Sequence, residues 1–258
     1  MLVDTHCHLE DKQFDRDLDE VIERAKKANV LFAISNGLNK KGNEKILSIS
    51  RRFDIVKCAF GLYPSEAEKM SEDKIMDSIR FIKKNKDFIV AIGEIGLDYL
   101  YTKDSDLIQK QKFALGKMIE LAEKIKKPVI LHSRKAEQDV FEMIQSSNVK
   151  KAVFHCFTGK LSIAKKIASA GFCFSIPANV VFSLNLQELV KTIDIKQLLT
   201  ETDSPYLSPF KGRRNEPAFV VESVKKIAEI KKIDLKEAEN ILSENANGLF
   251  GLIKTSCI

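Results

Sequence analysis

Two of the four histidines of the chain lie within its first eight residues, in the stretch DTHCHL that follows an apolar run at residues 1–3. Successive side chains of a strand point to opposite faces, so His6 and His8 share a face and Cys7 points away from it. Two imidazoles on one face can share a metal ion if the strand end curls. Taken alone, the two histidines could equally well be surface side chains.

The other candidate ligands also lie where a predicted strand ends. His132 ends PVILH, His155 ends KAVFH, Glu94 follows FIVAIG and Asp203 follows QLLTET. Together with the first two histidines they make four imidazoles and two carboxylates. A single zinc ion seldom takes more than four protein ligands, so this set predicts two divalent ions about 3.5 to 4 Å apart.

A two-ion centre requires a bridging carboxylate and a proton acceptor. Glu94 comes from a middle strand and is the predicted bridge, with the two N-terminal histidines on one ion and His132 and His155 on the other. Asp203 follows the last strand, which neighbours the first in a closed ring. We expect it to bind the same ion as the N-terminal pair and to accept a proton from metal-bound water, whose pKa falls from about 15.7 towards 7.

Eight short apolar or β-branched runs position these side chains, and amphipathic segments of helical period alternate with them. This pattern predicts a (β/α)8 TIM barrel that forms a single domain over residues 1–258, with the strand ends on one face. A doubly wound open sheet is the alternative architecture. The segment from Asp234 through AENILSENANGLFG predicts an additional C-terminal helix that closes the barrel bottom or side. The predicted strands are 2–6, 30–35, 55–60, 88–93, 128–132, 151–155, 172–176 and 197–202.

Composition limits the class of protein. With 258 residues, 44% of them hydrophobic, the chain can bury a full core, and no run approaches the roughly 20 apolar residues of a membrane span. Five scattered cysteines, none in a C-x-x-C pair, predict free thiols. Because no secretory signal is visible either, we expect a cytoplasmic protein, and a monomer.

The net charge and the absence of common cofactor motifs limit the substrates and cofactors that the chain could bind. The net charge of +6 permits a polyanionic substrate without requiring one. The sequence contains no P-loop, dinucleotide or serine-hydrolase signature, so we expect no nucleotide cofactor.

Six motifs occur in order along the chain: DTHCHL, GEIGLDY, LHSR, HCFTG, ETDSPYL and GRRNEP. In these motifs the sequence resembles the TatD family of metal-dependent DNases, a branch of the amidohydrolase-like TIM barrels, from Val3 to about Phe250. The resemblance implies hydrolysis of DNA phosphodiesters with divalent metal, often from the 3′ end of single strands. It places the family's metal ligands on the same six residues, namely His6, His8, Glu94, His132, His155 and Asp203.

The sequence departs from the family pattern at three positions. Many members have G-[IV]-H-P-H after the third strand, whereas GLYPSE has Tyr63 and Ser65 where histidines are usual. Many members have an acid after H-x-R, where this chain has Lys135. None of the three is a predicted ligand, so we expect the metal centre to be retained and the substrate contacts to differ.

Several residues could contact the substrate or support the ligands. Arg134 is placed to bind phosphate, although a surface salt bridge is as reasonable. Arg213 and Arg214 in FKGRRNEP could bind phosphate or anchor their loop to neighbouring acids. Asp98 and Glu201 could orient ligand histidines by accepting their free N–H groups. Four tyrosines could stack on bases, although ordinary packing is the favoured interpretation for most of them: Tyr63, Tyr99, Tyr101 and Tyr206.

Two other functions are alternatives to a deoxyribonuclease. The first is a two-metal hydrolase of a small ester, lactone or amide, which should respond little to salt, whereas a nuclease should lose activity steeply. The second is a nucleic-acid-binding scaffold with little catalysis, which would have no use for six clustered ligands. Cys7 and Cys156 adjoin ligand histidines, but strand alternation predicts that both turn outward as small buried hydrophobes.

Overall fold

The computed structural model describes residues 1–252, with eight strands and ten α-helices that alternate along most of the chain. The strands are β1 (Leu2–Cys7), β2 (Val30–Gly37), β3 (Val56–Phe60), β4 (Ile89–Asp98), β5 (Val129–Arg134), β6 (Ala152–His155), β7 (Cys173–Pro177) and β8 (Leu198–Glu201). The helices are α1 (Leu18–Lys27), α2 (Lys40–Arg52), α3 (Pro64–Glu68), α4 (Glu72–Lys84), α5 (Ser105–Ile125), α6 (Glu137–Gln145), α7 (Leu161–Ser169), α8 (Leu184–Thr192), α9 (Val220–Lys231) and α10 (Leu235–Phe250).

The strands form one parallel sheet in sequential order from β1 to β8. Hydrogen bonds between β8 and β1 close it into a ring: Thr5 Oγ1 donates to the carbonyl of Thr200 at 2.9 Å, and Thr200 Oγ1 donates to that of Val3 at 2.7 Å. Sequential order with closure defines a TIM barrel and excludes the doubly wound sheet, whose strand order reverses at a switch point. The predicted fold is confirmed.

Local sequence signals fix the helix ends. Asp104 caps α5 by accepting hydrogen bonds from the backbone N–H groups of Asp106 and Leu107, at 2.8 and 3.1 Å. Asp234 caps α10 in the same way, and that helix ends at Gly251, whose φ of 67° suits a residue without a Cβ. Each helix buries one apolar stripe against the barrel, as Val21, Ile22 and Ala25 do in α1.

The apolar residues form two layers. An outer layer lies between strands and helices, and an inner layer fills the barrel. The inner layer continues into Ala246, Leu249 and Phe250 at the end of α10. The predicted C-terminal helix therefore closes the bottom of the barrel, the end away from the strand C-termini. The strand residues of the inner layer are Val3, Phe32, Ile34, Ala59, Ala91, Ile130, Val153 and Leu199.

All eight predicted strands are present, and β4 differs most from its prediction. It was expected to end at Gly93 but continues to Asp98, pairing Gly96 with His132 and Leu97 with Ser133 of β5. Gly96 permits this close approach, because a Cβ there would lie 1.9 Å from the carbonyl oxygen of His132. The extension places Glu94 within the strand rather than at its end.

Part of the predictions falls outside the described range. The single-domain prediction included residues 253–258, which lie outside the described residues. Cys257, one of the predicted free thiols, lies outside them too. The other four cysteines, Cys7, Cys58, Cys156 and Cys173, are free thiols. Within residues 1–252, no helix combines the length and apolar character needed to cross a membrane.

Candidate metal centre

The structure brings all six predicted ligand residues together at the C-terminal ends of the strands, around the carboxylate of Glu94. Oε2 of Glu94 lies 3.4 Å from Nε2 of His6 and 3.5 Å from Nε2 of His8. Its Oε1 lies 2.9 Å from Nδ1 of His132 and 3.0 Å from Nε2 of His155. One buried carboxylate thus faces two pairs of imidazole nitrogens, one pair with each oxygen.

Asp203 joins the N-terminal pair. Its Oδ1 lies 3.4 Å from Nε2 of His8 and 3.6 Å from Nε2 of His6. Within the described chain, His6, His8 and Asp203 form one group of ligand atoms close enough to hold an ion, and Glu94, His132 and His155 form another. A third such group, His6, His155 and Glu201, shares one histidine with each of the first two, and together the groups support the use of divalent metal.

Burial and charge set the protonation of these groups. Burial opposes ionisation of Glu94, but the imidazoles of His155 and His132 outweigh it and hold the carboxyl pKa well below its ordinary value. Burial likewise opposes protonation of His8, yet Asp203 and Glu10 raise its pKa well above the usual range. Glu94 is therefore ionised, whereas His8 must release a proton before its ring can bind a metal ion.

Asp98 orients His132, as the sequence predicted it could. Nε2 of His132 lies 3.1 Å from Oδ2 of Asp98, so Asp98 can accept its N–H when Nδ1, which faces Glu94, binds a metal ion. The hydroxyl of Tyr63 donates to the same oxygen at 3.2 Å. Gln111 of α5 is buried and binds the Asp98 backbone in both directions, accepting from its N–H at 2.8 Å and donating to its carbonyl at 3.1 Å.

Two of the other three histidines have polar groups on their outer sides, whereas Nδ1 of His6 has no hydrogen-bond partner within residues 1–252. Oε1 of Glu201 lies 3.6 Å from Nδ1 of His155 and accepts a hydrogen bond from the backbone N–H of Cys156 at 3.0 Å. Nδ1 of His8 donates to the carbonyl of Asn36 at 2.9 Å. These contacts aim the opposite ring nitrogens at the centre of the cluster.

The loop that carries Asp203 is clamped from two sides. The buried Asp4 carboxylate accepts from the backbone N–H of Thr202 at 2.9 Å and from its hydroxyl at 2.6 Å. Asn215 of GRRNEP donates to the carbonyls of Thr202 at 2.7 Å and Tyr206 at 2.6 Å. Asp203 itself has a φ of 56°, a conformation that non-glycine residues keep only when their surroundings hold them.

A comparison with known protein families covers the segment that contains all six candidate ligands. The profile of the family described as TatD related DNase matches residues 3–251. The chain belongs to the TatD-related DNase family.

Relatives of this TatD-related DNase share nearly its whole length. An uncharacterized metal-dependent hydrolase of Methanocaldococcus jannaschii is 36% identical over 249 residues, which are 96% of either chain. Deoxyribonuclease TATDN3 of Homo sapiens is 35% identical over 258 residues, covering 96% of this chain and 94% of its own. The crystal structure of YjjV, a TatD homologue from Escherichia coli K12, has a TM-score of 0.90 at 25% identity and covers 98% of each chain. The predicted family and the metal-dependent hydrolase activity are confirmed.

The candidate metal centre opens into a cleft of about 680 Å³. Arg134 and Tyr63, two of the predicted substrate-binding residues, line the cleft. Arg214 lies elsewhere: it is paired with Asp17 at 2.6 and 2.9 Å and packs over the ring of Phe14. Arg213 lies over the ring of Phe219, at 4.5 Å from its centroid. The loop of these two arginines anchors itself to neighbouring residues, which is the alternative that the sequence left open.

The outward orientation expected for Cys156 is wrong. β6 ends at His155, and Cys156 has a φ of 42°, which breaks strand alternation and turns this residue towards the cleft. Cys7 lies in the outer hydrophobic layer, as expected.

Of the three residues that depart from the family pattern, Tyr63 contacts a candidate ligand, and Ser65 and Lys135 lie elsewhere. Tyr63 contacts both Asp98 and, at 3.3 Å, Nε2 of His132, so it stands beside the metal centre. Ser65 lies in the short helix α3, and Lys135 is exposed. The first of the three changes is the one that alters the surroundings of a ligand.

Sequence reasoning missed several supporting residues. Glu10 lies 3.4 Å from Nδ1 of His8, and Asp4, Gln111 and Asn215 hold the backbones of ligand-bearing segments. Gln111 offered a signal, since it lies on the buried face of α5 among Ala114, Leu115 and Met118. A polar side chain on such a face usually has a buried hydrogen-bond partner.

Proposed function

We propose that this TatD-related DNase hydrolyses phosphodiester bonds in DNA at a centre of two divalent metal ions, acting as a 3′-to-5′ exonuclease on single strands. The observation that carries the proposal is the Glu94 carboxylate, which faces one imidazole pair with each oxygen. The family membership and the relative named deoxyribonuclease support DNA as the substrate.

The donor set fits divalent cations. Nε2 of His6 and Nε2 of His8 lie 3.2 Å apart, and Nδ1 of His132 lies 3.2 Å from Nε2 of His155. Imidazole pairs that converge on a shared carboxylate are the ligands that zinc and related ions take. We propose His6, His8 and Asp203 for one ion and His132 and His155 for the other, with Glu94 as the bridge. Ions bound there would supply Lewis-acid activation of water and neutralise charge on the phosphate.

The chain's own residues supply the rest. Asp203 is the proposed proton acceptor, because its carboxylate lines the cleft beside His6 and His8. Burial opposes its ionisation, but the hydrogen bond with His8 outweighs burial and lowers its pKa, so the carboxylate is ionised and free to accept a proton. Arg134 is the proposed phosphate ligand, since its half-exposed guanidinium lines the same cleft. Asp98 and Glu201 keep the ring nitrogens of His132 and His155 aimed inward.

An assay of the purified protein on end-labelled DNA tests this proposal. We expect that chelation abolishes cleavage, that zinc, magnesium or manganese restores it, and that a 5′-labelled single strand yields a ladder shortened from its 3′ end. A duplex of the same sequence should be cleaved more slowly. Cleavage that survives chelation would contradict the metal centre, and internal cuts would contradict the exonuclease assignment.

The salt dependence separates a nuclease from a hydrolase of small esters, lactones or amides. Binding of several phosphates releases counterions, so kcat/KM on DNA should fall steeply between 50 and 200 mM salt. A salt-independent activity on small esters, with DNA left intact, would reject the proposed substrate.

A further inference from the structure

Tyr101 lies on the loop that follows β4, and its side chain is the most exposed aromatic one described, at 81%. The other three tyrosines of the chain donate their hydroxyls: Tyr63 to Asp98, Tyr99 to Asp139 and Tyr206 to Asp11. The hydroxyl of Tyr101 makes no hydrogen bond within residues 1–252. The Tyr101 ring is therefore exposed to solvent at the open end of the barrel, and no hydrogen bond holds its hydroxyl.

Arg134 connects this ring to the metal centre. Its guanidinium carbon lies 5.7 Å from the centroid of the Tyr101 ring, within the range of a cation–π contact. Its ion pair with Asp98 is loose, at 3.8 Å, because Oδ2 of Asp98 already accepts hydrogen bonds from His132 and Tyr63. The side chain of Arg134 is 47% exposed, so its five N–H donors remain available to a ligand.

We infer that Tyr101 and Arg134 form a nucleotide-binding subsite at the rim of the cleft, in which a base stacks on the Tyr101 ring and Arg134 binds the adjoining phosphate. The inference rests on the proposed DNA substrate and adds to it the residues that hold a nucleotide next to the scissile bond. Stacking accepts any base because every base has a π-face, so the subsite gives affinity for single strands without sequence preference. A base paired within a duplex cannot reach the ring without unstacking.

The chain provides a matched control at the other end of the barrel. Phe88, directly before β4, is 54% exposed, and the guanidinium carbon of Arg51 lies 5.7 Å from its ring centroid. The same pair of side-chain types at the same distance thus stands far from the metal centre, at the N-terminal end of the strand. Any general affinity of exposed arginine–aromatic pairs for nucleic acid would appear at Phe88 too.

Fluorescence gives a readout that needs no turnover. The chain contains no tryptophan, so Tyr101→Trp and Phe88→Trp each carry a single emitting indole. In the presence of chelator, titration with a single-stranded oligothymidylate should quench Tyr101→Trp with saturation and leave Phe88→Trp unchanged. Adding Arg134→Gln to Tyr101→Trp should weaken the titration. An equal response of both tryptophans, or none at position 101, overturns the subsite.

Kinetics provide the second measurement. Tyr101→Ala should raise KM for a single-stranded oligonucleotide by about 5- to 150-fold, the range for loss of one stacked base, whereas Phe88→Ala should leave this KM unchanged. Tyr101→Phe keeps the ring and should behave as the parent protein. An unchanged KM in Tyr101→Ala rejects the inference. Quenching at position 101 without cleavage of any DNA would reject the proposed activity and keep the subsite, so the two failures are distinct.

Discussion

At the scale of single residues, the Asp98 carboxylate has two separate tasks. Its Oδ1 accepts the backbone N–H of Leu100 at 3.0 Å, which fixes the start of the loop after β4. Its Oδ2 accepts Nε2–H of His132 and the hydroxyl of Tyr63. The tautomer of a proposed ligand and the wall of the cleft therefore depend on one side chain.

Replacement of Asp98 by alanine should weaken metal binding about 10- to 100-fold, because His132 loses the acceptor that orients it. Competition with a chromogenic chelator measures the affinity. Asp139→Ala is the matched control, since this carboxylate accepts from Tyr99 and pairs with Lys112 away from the ligands. Equal affinities of the two variants would show that Asp98 does not orient a ligand.

The substitution Asp203→Asn separates metal binding from proton transfer. The amide keeps the size and an oxygen donor but accepts no proton at neutral pH, so turnover should fall at least about 100-fold while metal content stays near that of the parent. Metal analysis and single-turnover cleavage of DNA are measured on the same sample. Turnover at the parent rate would eliminate Asp203 as the proton acceptor.

The convergence of the six candidate ligands was predictable from residue types at strand ends. Each of the four histidines ends or follows an apolar run, and the barrel rule carries all such ends to one face. Asp4 and Asn215 were not predictable in this way, because their roles are hydrogen bonds to the backbone of Thr202, far along the chain from Asp4. Contacts of that kind depend on tertiary structure, which periodicity does not encode.

At the scale of elements, β4 runs unusually close to its neighbours. A Cβ on Gly61, directly after β3, would lie 2.3 Å from the carbonyl oxygen of Glu94, and one on Gly96 would lie 1.9 Å from that of His132. Both obstacles are backbone atoms, which cannot swing away as side chains do. The position of Glu94 between the two imidazole pairs thus depends on missing side chains at two glycines.

Gly96→Ala should lower both thermal stability and activity, because β4 and β5 must separate to admit the methyl group. Gly248→Ala is the control: it lies within α10, nothing stands within 4 Å of its added Cβ, and alanine should stabilise the helix by up to about 1 kcal/mol. Thermal melts and DNA cleavage assays measure the two effects. A Gly96→Ala protein with parent stability and activity would contradict the close-approach argument.

Most strands and helices could be predicted from the sequence, because buried parallel strands appear as short apolar runs between amphipathic helices. The length of β4 was not readable, because the glycines of GEIGLD suggested an end where they in fact permit close packing. Nor was the orientation of Cys156, whose positive φ is set beyond the last residue of its strand.

At the scale of the whole molecule, the barrel is closed at one end and open at the other. Leu249 and Phe250 of α10 complete the inner apolar layer at the bottom, while the ligands surround the cleft at the top. The residues that close the core thus lie at the bottom of the barrel, and the candidate catalytic residues lie at the top.

Phe250→Ala should destabilise the fold by about 3 kcal/mol through the lost apolar contact and the cavity left behind. The kinetic constants at temperatures well below the melting transition should stay those of the parent. Phe88→Ala, an exposed aromatic at the same end, should change stability by less than about 0.5 kcal/mol. Urea unfolding measures both variants, and equal midpoints would argue against the closing role of α10.

The join between β1 and β8 has a consequence for biosynthesis. Asp203 and the Asn215 that clamps its loop are translated about two hundred residues after His6 and His8. A growing polypeptide can therefore display every imidazole and still lack the assembled hydrolytic machinery. The candidate metal centre can therefore be completed only after the last strand and the loop that follows it have been translated.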